Sequence, residues 1–270
     1  MAMVEPTRIM GVLNVTPDSF SDGGRHDRRD DALRHGLEMI GDGADIIDVG
    51  GESSRPGSAP VGAQQELDRV IPVIEALSAE SDTLISIDTR KPEVMRAAAG
   101  AGAGFVNDIY ALREPGAVET VAALDLPVCL MHMQGEPATM QQQPHYDDVV
   151  PDVCQFLEVR ITICREAGID ASRIVVDPGI GFGKTLDHNL LLLNNLPLLR
   201  SLGCEILVGV SRKQTIGTLL NRDVYGRVHG SVGLAVQAAL NGASIVRVHD
   251  VRATADALKM VHAVRMAGNQ

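Results

Sequence analysis

Asp177, Gly179, Gly181, Phe182, Gly183 and Lys184 fall in one short run, IVVDPGIGFGKT at 174–185. An acid at a strand end, a backbone stripped of side chains, one aromatic ring and one cation suit a small-molecule site. The run opens on three β-branched residues, which read as a buried strand, and Pro178 then forbids further ladder bonding. Two familiar phosphate motifs do not fit. A P-loop needs four residues between its first Gly and the Gly-Lys pair, and only three separate Gly179 from Gly183. The dinucleotide fingerprint fails because its third Gly would come too early. A capping Asp before a Gly-rich turn would give the same letters, so the run takes its meaning from what accompanies it.

Similar polar residues punctuate other apolar runs. Asn14 ends the first, Glu52 follows the second, and Asp88 ends the third. Asn107 and Asp108 lie in the fourth, His132 ends the fifth and Asp177 the sixth. Ser211, Arg212 and Lys213 follow the seventh, while Arg247 and His249 interrupt the eighth. Any one of these could be a helix cap or turn former. Together they demand a fold that brings eight strand ends to one place.

The strand-like runs are 9–15, 45–49, 84–88, 105–109, 127–132, 174–177, 205–210 and 245–249. Their apolar residues are near-continuous, as in parallel strands covered on both faces. Helical patterns lie between them. Leu67, Val70, Ile71, Ile74 and Leu77 recur at helical spacing around Pro72, Pro92 opens a helix over 92–99, and 147–167 is a long helical run. Gly168, Gly203 and Gly242 stand where helices should stop. Eight alternating β and α units predict one domain over 1–270 folded as a closed (β/α)8 barrel, the TIM-barrel fold, in preference to a doubly wound open sheet. A barrel gathers all eight strand ends at the face where active sites form. The long loops 16–29, 53–64 and 134–144 follow those ends and read as functional lids or as disordered segments.

Composition narrows the partners. The chain has 270 residues, 45% hydrophobic and 22% charged, with a net charge of −11. That balance argues against nucleic acid or an anionic membrane surface. Four scattered cysteines form no CxxC and match cytoplasmic usage, with Cys129 and Cys204 expected as inert core. The N-terminus has no signal-peptide pattern, and no apolar run is long enough to span a bilayer.

Two clusters follow. Asp88, Asn107, Asp177 and Lys213 suit a flat heterocycle whose edge presents adjacent N–H donors, such as a 2-amino-4-oxo ring, with Lys213 donating to a carbonyl or ring nitrogen. Asp108 should face away from the pocket if Asn107 faces in, because adjacent strand residues point oppositely. Asn14, Arg247 and His249 suit a phosphate or diphosphate, since Arg247 and His249 are two apart on one strand. A buried ion pair between Arg247 and an acid such as Asp250 is the plainer alternative. Mg2+ shared between Asn14 and phosphate oxygens fits that cluster. No His, Cys and carboxylate spacing suggests a tight transition-metal site, and His132 reads as a packed strand-end side chain.

With these residues in place the chain resembles the dihydropteroate synthase family of folate biosynthesis. The resemblance rests on GVLNVTPDSFSDGG (11–24), GGESSRPG (50–57), SIDTRKP (86–92), VND (106–108), LMHMQG (130–135), DPGIGFGK (177–184), GVSRK (209–213) and RVHD (247–250), all in family order. It implies condensation of 7,8-dihydropterin-6-ylmethyl diphosphate with p-aminobenzoate, giving 7,8-dihydropteroate and diphosphate. It implies Asp88, Asn107, Met131, Asp177 and Lys213 around the pterin, and Asn14, Arg247 and His249 around diphosphate and Mg2+. Asp22 in the first loop and Ser54, Arg55 and Pro56 in the second are implied to close over the site, with Asp22, Arg55, Lys213 and Arg247 in catalytic roles. Ser54, Arg55, Pro56, Phe182, Lys213 and Gln214 would surround p-aminobenzoate, Phe182 and Lys213 bracketing its ring. Gln214 departs from the family's usual Ser and Ser54 from its usual Thr. The resemblance also implies a homodimer through the late helices around 228–243. A corrinoid-type pterin methyltransferase and an inactive pterin-binding paralogue are the rival readings. The first would lack the DSFSDGG and SSRPG loops.

Overall fold

The structure, a computed structural model, describes residues 6–16, 25–53 and 57–267. Eight parallel strands close on themselves in the order of the sequence. They are β1 (Arg8–Asn14), β2 (Ile46–Gly50), β3 (Leu84–Asp88), β4 (Phe105–Asp108), β5 (Val128–Met131), β6 (Ile174–Asp177), β7 (Glu205–Gly209) and β8 (Ile245–Val248). Pairing of β1 with both β2 and β8 completes the ring, so the open sheet is excluded. The helices are α1 (Arg25–Gly41), α2 (Ala63–Glu80), α3 (Pro92–Gly100), α4 (Ala117–Leu124), α5 (Val149–Glu166), α6 (Leu186–Asn194), α7 (Gln214–Leu220), α8 (Val228–Leu240) and α9 (Val251–Ala267). Among the described residues the seventh unit alone carries two α-helices, with short α7 between β7 and α8.

All eight expected strand runs are strands, with ends shifted by a residue or two. Of the expected first loop, 25–29 belong to α1, and 17–24 lie outside the described residues. Pro72 sits inside α2 without ending it. Helices still stop at the glycines: Gly168, Gly203 and Gly242 all take the left-handed backbone that releases a helix end.

Side-chain alternation along the strands builds the site. Met10, Ile46, Phe105, Cys129, Val175, Leu207 and Ile245 form one buried cluster inside the barrel, with Leu84 of β3 packed against it. Burying each of the larger ones is worth roughly 1.5–3 kcal/mol as an upper figure. This apolar plug closes the lower half. A step of two residues along each strand returns to the same face. From the plug that step reaches Val12, Asp48, Ser86, Asn107, Met131, Asp177, Gly209 and Arg247, a layer dominated by polar groups. The opposite faces carry Leu13, Ile47, Val49, Ile87, Val106, Leu130, Val176 and Val208 into the larger core beneath the helices.

Candidate active site

The polar layer is knitted by Asp48, which is fully buried. Its Oδ1 accepts from Ser86 Oγ at 2.5 Å, and its Oδ2 accepts from Asn107 Nδ2 at 3.0 Å and from Arg247 Nε at 2.6 Å. Asp48 carries no strand-end signal in the sequence, because β2 runs two residues past it. The signal was its alternation with Ile46 in a strand otherwise apolar. A carboxylate on its amide nitrogen fixes Asn107, leaving the amide oxygen for a ligand donor.

Arg247 also reaches the strand-end acid, its Nη2 donating to Asp88 Oδ2 at 2.7 Å. The plainer alternative for Arg247, an ion pair with an acid, therefore holds with Asp48 and Asp88 as the acids, while Asp250 pairs with Arg212, at 2.5 Å. Burial raises the Asp88 carboxyl above its ordinary range, against the pull of Arg247, and Asp48, Glu66 and Asp108 push it further up. The same two carboxylates keep Arg247 protonated despite its burial. A Cβ at Gly50 would sit 3.7 Å from both Asn14 Oδ1 and Asp88 Oδ2, so these oxygens meet across bare backbone. Gly209 does the same on the far side, with Lys213 Nζ and Arg247 Cβ 3.8 and 3.9 Å from where its Cβ would be.

Asp177 is buried, and its Oδ1 accepts from Gly179 N at 2.7 Å, so the acid caps the turn as well as facing the barrel mouth. Burial raises its carboxyl, opposed first by Lys213. Burial likewise lowers Lys213, to about 8, with Asp177 pulling the other way. Lys213 donates to Ile180 O, and its ammonium lies 4.6 Å from the Phe182 ring centroid. Met131 packs with Met133, Met140 and Phe182 into an apolar wall. Met140 belongs to the 134–144 loop, which folds over this wall: Gln141 Nε2 donates to Gly181 O at 2.6 Å.

The Gly-rich run is shaped by close approach. At Gly179, φ is +66° and a Cβ would lie 1.8 Å from His132 O; at Gly183, φ is +61° and a Cβ would lie 2.4 Å from Gln134 O. Lys184, which the sequence suggested as the cation of a ligand site, is turned inward and is 3% exposed. Its Nζ meets Gly179 O, Phe182 O and His132 Nδ1, each at 2.9 Å. Three acceptors match the three protons of an ammonium. Lys184 is thus a staple of the loop.

Not every polar strand end faces the mouth. His132 packs edge-on against Phe156, with ring centroids 4.8 Å apart. Asp108 points away from Asn107 and accepts from the backbone of Tyr110 and Leu112, both at 2.7 Å. Glu52 pairs with Lys91, which also meets buried Glu66. His249 lies just past β8 with Nδ1 3.0 Å from Ser211 Oγ. Gln214 opens α7, is exposed, and accepts from Arg227 Nη2 at 3.2 Å. Asp22, Ser54, Arg55 and Pro56 lie outside the described residues. Among the described residues no group of three His, Cys, Asp or Glu side chains could hold a metal, and no helix is long and apolar enough to cross a membrane.

The chain matches the family described as "Pterin binding enzyme" over residues 10–249. It is 52% identical to the dihydropteroate synthase of Escherichia coli (strain K12) over 259 residues, 96% of this chain and 92% of that one. Its fold matches Yersinia pestis dihydropteroate synthase solved with a sulfonamide drug, at a TM-score of 0.93 and 51% identity, covering 97% of this chain and 95% of the other. It also matches Xanthomonas albilineans dihydropteroate synthase solved with 4-aminobenzoic acid, at 0.92 and 52% identity, covering 97% and 94%.

Proposed function

This chain belongs to the dihydropteroate synthases, alkyl-transferring members of the pterin-binding enzyme family, and from that premise we propose how its own residues carry the reaction. The substrates are 7,8-dihydropterin-6-ylmethyl diphosphate and p-aminobenzoate, and the products are 7,8-dihydropteroate and diphosphate. The observation that carries the assignment is the polarity of the barrel mouth. Asp88, Asp177 and the free oxygen of Asn107 all accept hydrogen bonds, which suits the amino and ring N–H edge of a pterin. Lys213 supplies the opposing donor, and Met131 an apolar face. Arg247, His249 and Asn14 receive the diphosphate.

Mg2+ fits beside Asn14 only as an ion that arrives with its substrate. One amide oxygen is a sparse protein donor set, and Mg2+ favours one or two protein ligands completed by phosphate oxygens and water. When bound, the ion neutralises charge on the diphosphate. The chain's own part is to hold the leaving group with Arg247 and His249 while the methylene C–O bond breaks. The cationic methylene that results is conjugated to the electron-rich pterin. Excluding water from it is the part we assign to Asp22, Ser54, Arg55 and Pro56. The amine of p-aminobenzoate, placed by Phe182, Lys213 and Gln214, attacks the methylene and sheds a proton. An alkylated anilinium is acidic enough to need no strong base. A homodimer through the late helices is supported by Leu219, Leu220, Tyr225, Leu240, Met260 and Val264, large apolar side chains left exposed there.

Mixing both substrates with Mg2+ and the protein should release diphosphate and form 7,8-dihydropteroate in equal amounts. Omitting p-aminobenzoate should abolish the steady release. Pterin binding with no product under these conditions would identify an inactive paralogue and reject the activity.

A further inference from the structure

Asp48 has no place among the groups assigned above to either substrate, yet three other strands lean on it. Ser86 of β3, Asn107 of β4 and Arg247 of β8 all donate to its carboxylate. The Asp48 side chain is 0% exposed, so no ligand can reach it. Asp88, the other carboxylate holding Arg247, has a side chain 11% exposed and borders Asn14 at the mouth. The two ion pairs therefore differ in kind. A ligand edge that hydrogen-bonds to Asp88 draws on the carboxylate that holds Arg247 Nη2 and weakens that pair. Nothing in the ligand can take Asp48 from Arg247 Nε.

We propose that Asp48 is a positioning residue that keeps Arg247 anchored in the barrel while the pterin engages Asp88, so that the outer end of the guanidinium is delivered to the diphosphate. This rests on the function proposed above. Without the anchor, Asp88 is the one acid among the described residues left paired with Arg247, and ligand and arginine share that carboxylate. Two-point attachment through Nε and Nη2 becomes one-point attachment, and the guanidinium plane is no longer set.

The test compares two ligands by calorimetry: dihydropterin diphosphate in the presence of Mg2+, and 6-hydroxymethyl-7,8-dihydropterin, which lacks the diphosphate. The ratio of their dissociation constants is the gain from the diphosphate. Asp48→Asn keeps the shape of the side chain and removes its charge. The gain should fall at least tenfold in Asp48→Asn and should change less than twofold when Asp48→Asn is added to Arg247→Ala. A structural role alone would weaken both ligands equally and leave the gain unchanged, which would overturn the proposal. So would an equal fall in the Arg247→Ala background. Should Asp48→Asn fail to fold, Ser86→Ala decides. It loosens Asp48 without touching its charge, and the gain should fall about two- to fivefold, again only with Arg247 present. No change there overturns the proposal. Wild-type protein that binds neither ligand would instead reject the function itself.

Discussion

Lys213 and Phe182 touch: the ammonium lies 4.6 Å from the ring centroid, the cation seated over the aromatic face. Such a contact contributes roughly 0.5–2 kcal/mol. It also fills the gap in which these two residues are proposed to bracket the p-aminobenzoate ring, so the incoming ring exchanges one aromatic contact for another. Phe182→Leu keeps bulk and loses the ring face. The KM for p-aminobenzoate should rise roughly 5- to 30-fold, from about 1–2 kcal/mol of lost aromatic contact. Calorimetric affinity for the pterin should stay within about twofold. An unchanged KM would place the benzoate elsewhere.

Lys184 should matter for stability before it matters for binding. Lys184→Met leaves Phe182 O and His132 Nδ1 without a donor, while Gly179 O keeps the one from Phe182 N. Each abandoned group costs about 1–3 kcal/mol. The melting temperature should drop by at least about 5 °C, at roughly 2–4 °C per kcal/mol for a chain of this size. A melt that coincides with wild type would show that the loop holds itself.

His132 gives the fold an acid-sensitive side. Burial, then the charges of Lys184 and Arg113, lower its pKa from 6.5 to about 2. As pH falls through 6.5 the unfolded chain takes up a proton that the folded one refuses until about 2, so stability is lost across that window. Thermal melts between pH 7.5 and 5 should show this slope. His132→Gln, whose amide oxygen can still accept from Lys184, should flatten it, and an identical slope would assign the effect to other groups.

Lys213 should set the alkaline limit of activity. Its pKa is lowered by burial to about 8 from 10.5, and its protonated form is the charged, stronger donor to the pterin. The kcat/KM for the pterin substrate should therefore fall about tenfold per pH unit well above pH 8. The stability effect has the opposite sign. Between about 8 and 10.5 the unfolded chain holds the proton and the folded chain has released it, so this group's share of stability rises with pH. Lys213→Arg should remove the alkaline limb while lowering the maximum, and an unaltered limb would acquit Lys213.

Most of the architecture was legible because strands buried on both faces leave unbroken apolar runs, and eight of them closed the ring. The site was legible where polar residues ended those runs. Asp88, Asn107 and Arg247 do meet around Asp48, and Lys213 acts on Asp177 and lies beside Phe182. What failed was direction. Lys184 has the residue type of a ligand site, and only the path of the Gly-rich turn sends it into the interior, whereas His132 packs inward as its place at a strand end suggested. Asp48 was hidden by its position in mid-strand, where no turn or loop draws attention to it. Alternation counted from the apolar plug would have found it, since it lies two residues above Ile46 on the same face.

The convergence of these side chains on one pterin is tested most directly at Asp177. Calorimetry should show dihydropterin diphosphate binding to wild-type protein in Mg2+, and binding about 10- to 100-fold weaker in Asp177→Asn, as expected for losing charge-assisted hydrogen bonds to one buried carboxylate. Equal affinity in the two proteins would contradict the placement of the pterin at the mouth of this barrel.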